Sequence, residues 1–277
     1  MDRIAETRHQ RGSHARNHRA TRLAGALLVL VVGLVGCGSS GGTPTTAKLD
    51  PTVVKAGTLT VCTSFPYRPF EFRRDGEPTG FDIDLVKEVA SELKLTPLIL
   101  NVPFDDIQSG QLLNEGKCDV AIAGITITGE RARVLDFSSP YFDATQAMVV
   151  KRGSGVTSLD DLTGEKIGVQ AGTTGELYVT DNAPKDAEIV AFPDASGVDG
   201  ALRRGDVAAG VYDNTVVGGV VARNPGFEVA AEFNTGEQYG MAVKKNGSTD
   251  LLRFINNVLA KLKANGGYDQ IYARWFG

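Results

Sequence analysis

Histidine is all but missing from this chain of 277 residues: the three present, His9, His14 and His18, sit together in an arginine-rich N-terminal stretch. If that stretch is removed on export, the remainder holds no imidazole. That excludes histidine-based acid–base chemistry and histidine-ligated metal sites, so no metal, no other cofactor and no catalytic residue is expected. Cysteine is limited to Cys37, Cys62 and Cys118. A long apolar run is also lacking: residues 23–36 give 14 in a row, short of the roughly 20 that a helix needs to cross a bilayer. Positive charge is in deficit. Six of the 29 Lys and Arg and two of the 33 Asp and Glu precede residue 37, which leaves 23 against 31 and a net charge of −8. A surface of that sign argues against nucleic acid as a partner.

What is present at the N-terminus fixes the compartment. Arg3, Arg8, Arg11, Arg16, Arg19 and Arg22 stand against only Asp2 and Glu6, and the apolar run follows. Residues 1–36 thus have the layout of a signal peptide. The run closes on Leu34-Val35-Gly36-Cys37, which resembles the bacterial lipoprotein box, and Cys37 is the expected lipidation site. Residues 37–52, with the small polar stretch from Gly38 to Thr46, are expected to be a lipid-anchored flexible linker. The folded part is expected outside the cytoplasm, held to the outer face of the cytoplasmic membrane.

From Thr58 onward, short β-branched runs alternate with amphipathic helical stretches, the pattern of an α/β fold with crossover helices. Strands are expected at 59–63, 97–102 and 120–125, with helices at 81–95, 105–115 and 130–135 between and after them. A second βαβαβ set is expected after residue 151, with strands at 166–170, 189–192 and 207–212. Two apolar stretches flank that set, so the expected division is a first lobe of residues 53–148 plus 241–277 and a second of 149–240, with hinge strands near 147–151 and 238–243. Two terminal helices, 249–264 and 268–276, would pack back on the first lobe. Ligands in such sheets sit beyond the carboxyl ends of the strands, here Ser64, Pro103 and Gly124–Ile125.

The run Pro69-Phe70-Glu71-Phe72, then Gly80-Phe81-Asp82-Ile83-Asp84-Leu85, then Ala123-Gly124-Ile125-Thr126-Ile127-Thr128 with Arg131, resembles the polar-amino-acid family of bacterial extracellular solute-binding proteins. The likeness continues through Asp136-Phe137-Ser138-Ser139-Pro140-Tyr141, Gly172-Thr173-Thr174-Gly175, Gln238-Tyr239-Gly240 and Tyr272-Ala273-Arg274-Trp275-Phe276-Gly277. It spans about residues 53 to 277, and glutamine-binding proteins are the most similar members. The resemblance implies a two-lobed, type II periplasmic-binding-protein fold, each lobe a mixed, mostly parallel sheet with helices on both faces. It also implies a monomer that passes a free amino acid to the permease of an ABC importer.

A free amino acid carries a carboxylate and an ammonium, and a receptor must answer both. Arg131, one turn past a strand end, has the planar fork for the carboxylate; taken alone it reads more readily as a solvated helix residue, and the resemblance reverses that reading. Thr173 and Thr174 open a helix whose N–H groups favour an anion. Asp213 reads by itself as a helix cap; the resemblance pairs it with the ammonium, assigns Thr126 to the carboxylate beside Arg131, and lets Gly124 offer a carbonyl. The same resemblance makes Tyr67 and Phe104 walls of the side-chain pocket. Ser64 stands where many relatives have Asp, and Gln170 where glutamine binders often have Lys. With Tyr212 also expected to face the site, the pocket reads as polar but uncharged, which favours glutamine or asparagine because a charged side chain would lack a counter-ion.

Two other functions remain open on sequence: a sensor module reporting to a membrane kinase, and a dehydratase-like enzyme on the same fold. Cys62 and Cys118 raise a separate question. Two spare thiols in an exported protein invite a disulfide, yet if Ser64 and Gly124 are level on adjacent strands the two are offset by four residues, roughly 13 Å. That exceeds the reach of a bridge, and strand counting therefore argues against the bond.

Overall fold

The computed structural model describes residues 49–277; the expected signal peptide, Cys37 and most of the linker lie outside the described residues. The chain opens with β1 (Thr58–Thr63), a hairpin of β2 (Phe72–Arg74) and β3 (Glu77–Thr79), α1 (Phe81–Leu93) and β4 (Thr96–Asn101). It continues through α2 (Phe104–Gln108), α3 (Gln111–Asn114), β5 (Val120–Ala121), α4 (Arg131–Val134) and β6 (Leu135–Phe137). Helix α1 buries Phe81, Leu85, Val86 and Val89 along one side, the spacing of a core-facing helix. The single helix expected over 105–115 is two short ones instead. Gly110 sits between them at φ 77°, where a Cβ would come within 3.0 Å of the Val134 carbonyl oxygen.

The next elements are β7 (Phe142–Lys151), a 3-10 turn (Leu159–Leu162), β8 (Lys166–Gln170), α5 (Thr174–Asn182), β9 (Glu188–Phe192), α6 (Ala195–Arg204), β10 (Ala209–Asp213), α7 (Asn214–Arg223) and β11 (Phe227–Tyr239). The chain then returns as β12 (Ala242–Lys244) and ends in α8 (Thr249–Asn265) and α9 (Gly267–Phe276), which pack on α1.

Two five-stranded sheets result, ordered β4-β1-β5-β12-β6 and β11-β7-β10-β8-β9. In the first, β1 runs parallel to β4 and β5 while β12 is antiparallel to β5 and β6. In the second, β9, β8 and β10 are parallel and β7 is antiparallel to both β10 and β11. The whole of β7 belongs to the second sheet, so the outward crossing falls at residues 138–141, earlier than the expected 147–151. The return crossing falls at Tyr239–Met241. Phe70 and Phe142 (ring centroids 5.0 Å apart), Phe142 and Phe276 (4.9 Å) and Phe70 and Tyr239 (5.4 Å) pack at this junction.

The structure corrects the strand count on the cysteines: Cys62 and Cys118 are joined in a disulfide, with Cα atoms 5.8 Å apart. Register pairs Cys62 with Ala121, but β5 begins only at Val120. Before it, Lys117 N–H bonds back to the Leu112 carbonyl, and the Asp119 carboxylate accepts the Thr60 N–H at 2.7 Å. The segment therefore curls against β1, and the rise per residue of an extended strand does not apply to Cys118.

Candidate functional site

The carboxyl ends of β1, β8 and β10, the N-terminus of α2 and the segment after β5 converge on one cleft between the sheets. It encloses about 410 Å³ counting the space at its mouth, and Ser64, Tyr67, Phe104, Gly124, Thr126, Arg131, Gln170, Thr173, Thr174 and Asp213 all line it. Ten of the eleven residues expected at the site are thus brought together. The exception is Tyr212, which is buried away from the cleft and donates to the Asp199 carboxylate at 3.0 Å. Successive strand residues point to opposite faces, so once Asp213 at the end of β10 faces the cleft, Tyr212 cannot.

Arg131 is 4% exposed. Its guanidinium lies 5.2 Å from the centre of the Phe104 ring and donates to the carbonyl oxygens of Thr126 and Gly172, each at 2.9 Å. The first acceptor belongs to the first lobe and the second to the other. Burial pulls its pKa down while Asp213 and Glu237 oppose that shift, and the group stays cationic at any physiological pH. Thr173 caps α5, its hydroxyl accepting the Glu176 N–H at 3.2 Å. Gly124 holds φ 54°, and a Cβ there would meet the Tyr67 ring at 3.0 Å. Only glycine turns the chain here and lets that ring approach.

Asp213 is the electrostatic centre of the opposite wall. Its carboxylate accepts Tyr67 Oη at 2.5 Å, Gln146 Nε2 at 2.6 Å and the Tyr239 hydroxyl. Burial first, and the nearby Glu237 second, push its pKa up in spite of those three donors. Glu237 in turn accepts Thr126 Oγ1 at 2.7 Å, Thr174 Oγ1 at 2.6 Å and Gln146 Nε2 at 2.9 Å. Tyr67–Asp213, Thr126–Glu237 and Arg131–Gly172 all run from one lobe to the other.

Sequence reasoning passed over Gln146, Tyr239, Glu237, Glu71, Asp82 and Asp194. Gln146 carried a signal: it directly precedes the apolar run 147–150 of β7 and is itself fully buried there, and a buried amide needs partners. Glu71 and Asp194 also line the cleft, so its lining is not uncharged. Glu71 is fully buried, and desolvation, reinforced by Asp82 behind it, raises its pKa well above the ordinary carboxylate value. One arginine therefore faces a surplus of carboxyl groups, and the cleft suits a small molecule bearing both signs with its net charge neutral or positive.

The family model for bacterial extracellular solute-binding proteins, family 3, matches residues 59–277. A probable histidine-binding protein of Neisseria gonorrhoeae is 32% identical over 261 residues, 92% of this chain and 94% of the relative. A glutamine-binding protein of an ABC transporter in Bacillus subtilis is 34% identical over 204 residues, 72% and 73% of the two chains. Among solved structures, an ancestral arginine-binding protein is 43% identical with a TM-score of 0.76, covering 80% of this chain and 99% of its own. It has been solved bound to arginine and bound to glutamine.

Proposed function

The chain belongs to the bacterial extracellular solute-binding proteins, family 3, and from that premise we propose that it captures a free polar amino acid between its lobes and presents it, as a monomer, to the permease of an ABC importer. The observation that carries this reading is the pairing of a buried guanidinium, Arg131, in one lobe with a buried carboxylate, Asp213, in the other, both lining one cleft. Arg131 would take the α-carboxylate with Thr126 and the α5 N-terminus beside it, and Asp213 the ammonium. Tyr67 and Phe104 would flank the side chain.

The side-chain end reads differently from the sequence expectation of glutamine or asparagine. Glu71 and Asp194 add carboxyl groups to Ser64 and Gln170, which favours a side chain ending in N–H donors. Glutamine and arginine both meet that requirement, and the ancestral relative solved with each of them supports the pairing. Calorimetry on protein stripped of bound ligand by unfolding and refolding should give micromolar or tighter binding for glutamine and arginine, with glutamate at least about tenfold weaker. Tight binding of glutamate would overturn the assignment.

A dehydratase is disfavoured because the relatives named above are binding proteins and residues 49–277 contain no histidine. For attachment we propose a lipid on Cys37 that holds the protein to the outer face of the cytoplasmic membrane, supported by Leu34-Val35-Gly36-Cys37 after the apolar run. Replacing Cys37 by Ala should release the protein from the membrane fraction, and persistent membrane association would refute the anchor.

A further inference from the structure

Glu71, at the cleft wall, and Asp82 behind it form a second acidic pair. Both side chains are fully buried. Oδ2 of Asp82 accepts the Gly124 N–H and the Tyr141 hydroxyl, each at 2.9 Å. Among the described residues, no donor reaches Oδ1 of Asp82 or either oxygen of Glu71, and no cation pairs with either group; Arg131 donates to Thr126 and Gly172. The two carboxyls face each other instead, with Asp213 contributing further negative charge to Glu71 and Tyr141 bordering both. The Tyr67 and Tyr239 hydroxyls donate to Asp213 and not to this pair. Two buried carboxyls in contact satisfy one another only when at least one is protonated, because the proton is then the missing donor. Glu71 alone of the two lines the cleft.

We propose that Glu71, backed by Asp82, is the specificity-determining group for the charge of the ligand side chain, the pair carrying one proton beneath a cationic side chain and two beneath a neutral one. A guanidinium or ammonium resting on Glu71 breaks one carboxyl O–H, whose proton leaves to solvent. The remaining O–H stays between the carboxyls as their mutual hydrogen bond, so the pair's single negative charge meets the ligand's positive one. A carboxamide needs no such change, because a protonated Glu71 donates to its oxygen. One cleft then accepts both arginine and glutamine. Burial places the Asp82 pKa at about 7 and that of Glu71 well above the usual range, so the second proton is bound below neutrality.

The inference rests on the amino-acid reading of the cleft, and its test separates the two. On the full chain, arginine affinity should weaken about tenfold from pH 8 to pH 6 while that of glutamine strengthens by about the same factor. At pH 6, titrations in buffers of different ionisation enthalpy should show about one proton released per arginine and none per glutamine. Glu71→Gln should abolish both differences, and Asp82→Asn should shift the arginine profile to lower pH. Parallel profiles for the two ligands, a difference that survives in Glu71→Gln, or exclusion of every cationic amino acid while glutamine binds would overturn the inference and leave the function intact. Failure of every amino acid to bind at any pH would sink the function itself.

Discussion

Arg131 shows what a single position can and cannot tell. Its chemistry was legible in the sequence because it follows a strand end by one helical turn within a motif, and the structure buries it with two carbonyl acceptors at 2.9 Å. Arg131→Ala would leave a ligand carboxylate unpaired in a desolvated cleft. The expected cost is about 3 kcal/mol, roughly a hundredfold in affinity, read by calorimetry; a change of less than about threefold would assign Arg131 to the scaffold alone. The partners of Asp213 were less legible. Gln146 and Glu237 come from the middle of β7 and near the end of β11, strands that reach the site laterally, and only three-dimensional pairing brings them to within 2.9 Å of one another. Tyr212 was misplaced for the opposite reason, because adjacency in sequence to Asp213 means opposite faces on a strand.

Among the elements, β8 and α5 were readable because β-branched runs end at turn residues and Thr173 supplies a capping hydroxyl. By contrast β11, at 13 residues, was not foreseen. It is an edge strand with alternating exposure, and its Glu-Phe-Asn-Thr-Gly-Glu tract lacks the continuous apolar signal of a central strand. Its register slips between Phe233 and Glu237, and that irregularity aims Glu237 at Thr126 and Thr174. The strand count argues against the disulfide only because it extends strand geometry past the start of β5 at Val120. The bridge links positions 56 residues apart, and in the chain-entropy model a loop of that length contributes about 4 kcal/mol. Replacing Cys62 and Cys118 together by Ala should lower the unfolding free energy by up to about that amount in denaturant titrations. The same titration with reductant should lower the wild type towards the variant, and equal stability in all cases would show that the bridge constrains nothing.

At the scale of the whole molecule, the two sheets meet through two crossings, at residues 138–141 and at Tyr239–Met241, and through the aromatic packing of Phe70, Phe142, Tyr239 and Phe276 beside them, while polar, exchangeable contacts join them at the cleft. Tyr67 to Asp213, Thr126 to Glu237 and Arg131 to the Gly172 carbonyl are cross-lobe contacts, and each includes a group that a bound amino acid would also engage. A ligand with a carboxylate for Arg131 and an ammonium for Asp213 would add charge-assisted bonds at both walls, stronger than the neutral acceptors Arg131 now uses. Opening must instead expose Arg131, Asp213 and Glu237 to water with only solvent as partner. The differential contact favours the closed form when ligand is present, and closure is then the state a permease can recognise. Small-angle scattering of the stripped protein should therefore give a larger radius of gyration than the same sample with saturating glutamine or arginine. Tyr67→Phe, which removes one cross-lobe bond but no ligand charge, should open the unliganded form further and leave the liganded radius unchanged. Identical radii with and without ligand would mean that the lobes are held together by the protein's own contacts, and that capture proceeds by some route other than closure.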